Sequence, residues 1–357
     1  MRLSFIIAIA ITGLLVNSCK QTTDNKKVQT TDKFMFDTTD ATNAFYDNAK
    51  TYQLKHQKKI IIDGEVEENT KQKFNEFHER SVIVKETVLN SKKDSFVGAY
   101  KYTGYSLYDI LNEVNIDKKN KEEFSPIIDL YIEISNSNGE KAVLSWGEIF
   151  YPKNRHKNII STHVTPIIPS KTKEKWPIPE QSKLIVATDL LTERNITNPT
   201  RITIRSLTGN FPDKDQDKLY APVVKINNEA NKTVRRLSDI PDKFKKYSCP
   251  TVFYGRGKGI HGVTTFEGYL LKNILNKKFP QTKERLQKGL FSISAPDGYR
   301  AAFSYSEIFN RNDQSEVFLI DLGENEPSGK FRIFTSADFF SDRAIKAVSE
   351  IHYKKLD

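Results

Sequence analysis

Cysteine is almost missing from this chain. Only Cys19 and Cys249 occur among 357 residues, so at most one disulfide could form, and none if either thiol is otherwise engaged. A fold without staples must be held by its cores, and this length is enough for two domains that each bury one. Long apolar runs are equally scarce. The longest, Leu3 to Val16, covers 14 positions, short of the roughly 18–20 residues that cross a bilayer. The histidines (His56, His78, His156, His163, His261 and His352) never fall at H-x-x-x-H spacing, which speaks against a zinc site. No G-x-S-x-G elbow is present, so the signature of an α/β-hydrolase nucleophile is lacking too.

What is present begins at the amino terminus. MRLSFIIAIAITGLLVNSCK has one early positive charge, Arg2, then the short apolar core, then Val16-Asn17-Ser18-Cys19. That order is similar to a bacterial lipoprotein signal, residues 1–19, in which Cys19 becomes the lipidated first residue. Ordinary secretion with an incidental cysteine is the plainer alternative. The expected location is the cell envelope, lipid-anchored, facing the periplasm or the cell surface, with the membrane as a partner through the lipid on Cys19. The net charge is +10, and lysines lie in pairs at 58–59, 92–93, 118–119, 245–246 and 277–278 rather than along one stripe. This reads as a solvated basic surface leaning towards a small anionic ligand, a protein partner or a membrane. Nucleic acid is not expected, because no recognition motif accompanies the charge.

The chain repeats itself. YTGYSLYDIL (102–111) returns as FEGYLLKNIL (266–275), 164 positions later. Gly98 meets Gly262 at the same offset, and Lys85 meets Cys249. Further on, SWGEIF (145–150) pairs with SYSEIF (304–309), and DLLTER (189–194) with DFFSDR (338–343). Within each copy, Leu107, Ile110 and Leu111, like Leu271, Ile274 and Leu275, take one face of a helix. Leu130, Ile132 and Ile134 alternate as in a strand with one buried face, and LFSIS (290–294) is its counterpart. Asn138-Gly139 and Asp297-Gly298 signal hairpin turns. Ser145 with Glu148, and Ser304 with Glu307, form capping boxes ahead of short helices.

Helix, hairpin, short helix and edge strands together predict an α+β class. The boundaries that follow are a tether over 20–56, a first domain over 57–205 and a second over 220–357, with 206–219 as linker. The first domain alone carries a Pro-rich insertion, 151–183.

These phrases in this order resemble the molybdopterin-binding domain of the sulfite oxidase superfamily, twice in tandem. The second copy carries the resemblance best, through FEGYLLKNIL, SAPDGYRAAFSYSEIF and SADFFSDRAIKAVSEI. The resemblance implies a mixed-sheet α+β fold. It also implies a molybdenum–molybdopterin cofactor ligated by one cysteine thiolate, and oxygen-atom transfer on a small sulfur or nitrogen oxide compound. Cys249 is then the metal ligand and catalytic residue, with Arg256, Lys258 and His261 of GRGKGIHG as cofactor contacts.

Each of these residues has a plainer reading. Cys249 is equally a small half-buried thiol beside Pro250, and GRGKGIHG equally a basic hairpin tip. Two functions therefore stand side by side. One is an envelope molybdopterin oxidoreductase; the other is a cofactor-free module that binds a partner or a small anion.

Overall fold

The computed structural model describes residues 49–90, 94–169, 171–213 and 219–356. The signal at 1–19, Cys19 and most of the 20–56 tether lie outside the described residues. The expected α+β class is overturned. Strand takes 44% and helix 12%, in a mostly-β, four-bladed, propeller-like arrangement, and the sulfite-oxidase-like α+β fold implied by the resemblance falls with it. The helical spacing was real but short-lived: Leu107–Asn112 and Leu271–Leu275 run for six and five residues. What the pattern missed were two long ribbons, Glu79–Val88 with Ser95–Ser106 and Lys246–Gly255 with Gly259–Leu270. Their alternation is diluted by Lys, Glu, Ser and Thr on the outward face, so period two is weak in the sequence.

The same wiring appears twice. Sheet two orders its strands Thr70–Lys73, Lys59–Gly64, Arg201–Ser206, Leu130–Ser135 and Lys141–Ser145. Sheet three repeats this as Thr233–Leu237, Val224–Asn227, Glu350–Lys355, Gly289–Ser294 and Arg300–Ser304. In both, the entry strand lies parallel to the last strand of its copy. Ile60, Ile62, Ile132, Ile134, Ile202 and Ile204 bury one face of sheet two. The core of sheet three also receives Phe124, Ile128, Tyr151 and Leu191 from the first copy, so the two halves share apolar contact.

Sheets one and four hold the ribbons and differ in how these are covered. In sheet one, Ser95–Ser106 pairs on its far side with Asn158–Pro166, from Ser106↔Ile159 to Tyr100↔Pro166. That covering strand lies wholly within the 151–183 segment, which then returns to lay Trp176 and Ile178 on the ribbon. In sheet four the corresponding strand, Val317–Asp321, reaches only Leu270 and Tyr269. The second ribbon is left with an open edge.

The two copies meet across a buried charged seam. Arg194 grips Asp189 (2.7 and 2.8 Å) and Glu148 (3.0 Å twice), and Nη1 also donates to Ser304 Oγ of the other copy at 3.0 Å. Arg343 repeats the arrangement with Asp338 (2.7 and 2.8 Å) and with Glu307 at 2.6 Å. Both Ser145 and Ser304 cap their helices, but only the first capping box closes on itself. Glu307 instead turns its carboxylate across the seam, accepting from Ser145 Oγ at 2.7 Å. Four carboxylates thus face two guanidiniums, with Arg311 close by, paired to Asp313. Burial pushes Glu307 up, to about 7; Glu148 and Asp338 add to the shift, while Arg343 and the Ser145 hydroxyl oppose it. Burial likewise raises Asp189 and Asp338 against their arginines.

Candidate anion-binding cleft

The sequence-predicted site residues do not converge. Cys249 lies on Lys246–Gly255, paired with Phe266 and packed with Phe318, Ile320, Phe334 and Phe253. Burial pushes its thiol pKa up, and Lys153 only partly offsets this. The strand register also corrects its sequence alignment with Lys85. Tyr102 and Phe266 occupy equivalent places 164 apart, and their partners are Val82 and Cys249. The second ribbon turns over three residues, Arg256 to Lys258, where the first uses six, and this displaces the alignment by three. Cys249 therefore holds the position of Val82, a core-facing residue.

Arg256 and Lys258 sit in the ribbon's turn, which Gly259 closes at φ +79°, a conformation that suits glycine. Arg256 lies 3.7 Å from Asp342, and the His261 ring packs on Phe253 at 5.1 Å between centroids. Six residues lie between Cys249 and Arg256, which puts them about 23 Å apart along the ribbon. A thiol favoured in its neutral form within an apolar cluster, a ribbon's length from the turn cations, does not fit a molybdenum–molybdopterin group. Among the described residues, no cluster of three or more His, Cys, Asp or Glu side chains could hold a metal ion either.

A different group of residues does converge. The strand Thr233–Leu237, the loop after Pro241 and the end of the helix Leu271–Leu275 enclose a cleft of about 710 Å³. Its cations are Arg235, Lys243, Lys245, Lys277 and Lys278, and no carboxylate lines it. None of the five makes a salt bridge to a described residue. Arg235 is held in place: Nη1 donates to Ile274 O at 3.0 Å, and its guanidinium stands 5.7 Å from the Phe244 ring. Lys243 lies over the same ring at 5.4 Å. Asn273 and Asn276 add amides, and Phe244, Val234 and Ile274 give an apolar floor.

Five cations on one cleft without a lining carboxylate give it a positive field that attracts anions. The first copy shows that the fold does not require them. At the 164-residue offset of the repeated phrase it has Asp109 and Glu113 in place of Asn273 and Lys277. Sequence reading missed the cleft because its cations come from three segments up to 43 residues apart, 235 to 278. The pairs 245–246 and 277–278 were the only signal. Lys118, from another pair, is instead buried against Asp129 at 2.9 Å. Two other clefts carry less. One of about 510 Å³ between the copies mixes Lys121 with Glu122, Glu123 and Asp297. One of about 440 Å³ has Lys58, Lys59 and Lys73, the last 3.7 Å from Glu76.

No known protein family matches the chain, and no curated protein matches it. Among solved structures it is similar to the crystal structure of the sulfane dehydrogenase SoxCD from Paracoccus pantotrophus. The identity is 7% and the TM-score 0.28, over 84% of this chain and 77% of that one. A likeness at that level carries no argument about this chain's chemistry. Among the described residues, no helix is long and apolar enough to cross a membrane.

Proposed function

We propose that this chain is a binding module of the bacterial cell envelope, anchored through Cys19, whose second copy takes an oligoanionic ligand in the basic cleft. The observation that carries this reading is the convergence of Arg235, Lys243, Lys245, Lys277 and Lys278 on one cleft without a carboxylate. Several phosphate, sulfate or carboxylate groups on one molecule would match the spread of the cations. The asparagines and the Phe244 floor suit a sugar-like or otherwise hydroxylated frame. The redox reading, oxygen-atom transfer at a molybdenum bound to Cys249, is not taken, because the thiol's surroundings do not fit it.

The test is calorimetric titration of residues 20–357 with inositol hexakisphosphate and with a sulfated hexasaccharide. Binding that weakens with salt is expected, together with at least a tenfold loss in Lys277→Glu/Lys278→Glu. The control Lys58→Glu/Lys59→Glu, in the 440 Å³ cleft, should bind as the parent does. Equal loss in both variants, or no binding, overturns the cleft as the site. Stoichiometric molybdenum in the chain made by a cofactor-synthesising host, lost on Cys249→Ser, would restore the redox reading instead.

A further inference from the structure

Each ribbon runs straight into the helix of its copy. Ser95–Ser106 leads into Leu107–Asn112, and Gly259–Leu270 into Leu271–Leu275. The opposite strand of each ribbon starts at the same end, with Glu79 paired to Tyr105 and Lys246 to Tyr269. The base of the ribbon and the start of the helix therefore form a joint. In the first copy an ion pair closes it. Arg80, the second residue of its strand, donates through Nε at 3.1 Å to Asp109 Oδ2, on the third residue of the helix.

The second copy has the joint without the ion pair. Tyr247 holds the place of Arg80, because their strand partners, Gly268 and Gly104, lie 164 apart. Asn273 holds the place of Asp109, third in its helix. What stands here instead is charge of one sign on both sides. Lys243 and Lys245 precede the strand, Lys277 and Lys278 follow the helix, and all four line the basic cleft together with Asn273. Lys246 pairs with Glu267 within the ribbon and Lys272 with Glu316 beyond the helix. Among the described residues, no ion pair ties 243–247 to 271–278.

The second ribbon also has less to hold it. Asn158–Pro166 runs along the first from Ser106 to Tyr100, whereas Val317–Asp321 pairs with Tyr269 and Leu270 alone. One face rests on Phe334, with Phe266 at 4.7 Å between centroids, while Val263 is 79% exposed. Two strands by themselves are marginally stable, so the order of this ribbon depends on how its base is held.

We propose, resting on the reading of the cleft as an oligoanion site, that the ligand supplies the link this joint lacks. Its anionic groups bridge Lys243 and Lys245 on the strand side to Lys277 and Lys278 on the helix side. They clamp the base of the second ribbon, as Asp109 clamps the first. Occupancy of the cleft then sets how firmly 246–270 is held, because the ligand favours the closed joint over the open one.

The experiment is hydrogen exchange of the full chain in neutral detergent, with and without inositol hexakisphosphate at a level that saturates by calorimetry. Binding should slow exchange roughly threefold or more in 246–270 and leave 79–106 unchanged. Asn273→Asp restores the carboxylate of the first copy. It should slow exchange in 246–270 without any ligand and weaken binding of the hexakisphosphate. Binding that leaves the second ribbon unchanged, or slows both ribbons equally, overturns the clamp and leaves the anion site standing. Unchanged or faster ribbon exchange in Asn273→Asp overturns the clamp as well. No binding at all overturns both the clamp and the anion site.

Discussion

Ser145 Oγ donates to Glu307 Oε2 at 2.7 Å, so the helix cap of the first copy closes on a carboxylate of the second, 162 residues away. Around that bond, four carboxylates and two guanidiniums are sealed from water. The arrangement ties the stability of the whole chain to protonation at one place.

Stability should fall as pH rises from about 4.5 to about 7. Folded Glu307 keeps its proton up to about 7, whereas the unfolded chain releases it near 4.5. Its contribution is therefore full below about pH 4.5, falls progressively as pH rises towards 7 and is gone once pH passes it, a loss of up to about 3 kcal/mol. Asp189 and Asp338, also raised by burial, act in the same direction. Urea midpoints from pH 4.5 to 7.5 should show this slope, and Glu307→Gln should flatten it. An unchanged slope in that variant would place the titration elsewhere.

Removing a seam arginine should be severe. Arg194→Ala leaves Asp189 and Glu148 buried without their partner, a loss of about 3–5 kcal/mol. Arg201→Ala, which breaks a solvent-facing pair with Asp63, should cost about 1 kcal/mol or less. Chemical denaturation of the two variants side by side reads the difference.

Cys249 should behave as a core residue. Because it occupies the place of Val82, Cys249→Val is expected to change stability by less than about 1.5 kcal/mol. Cys249→Ser, which puts a hydroxyl against Phe266 and Phe334, should cost about 1–3 kcal/mol. Slow labelling by a thiol reagent at neutral pH should accompany this, since burial holds the thiol neutral. Fast labelling would contradict the placement.

Trp176 should guard the first ribbon only. Its indole Nε1 donates to Ile167 O at 2.7 Å and its ring meets Phe96 edge-on at 5.2 Å. Trp176→Ala should destabilise by about 2 kcal/mol, less than the 3–5 of a fully buried aromatic. Hydrogen exchange should quicken in 79–106 and stay unchanged in 246–270.

What the sequence determined by itself was the local and the repeated. Its duplication returns in the structure as one strand order drawn twice. The glycine turns at Gly139 and Gly298 and the serine caps at Ser145 and Ser304 are also in place, because each depends on a few neighbouring residues. Tertiary structure decided the rest. The fold class turned on two ribbons whose alternation is half masked by polar residues on the outward face. The role of Glu307 looked like ordinary capping until the other copy supplied Ser145 and Arg343. The basic cleft needed three segments to meet before five scattered cations became one site. Charge acts through space and hydrogen bonds across contacts, so neither can be read from positions that only the fold brings together.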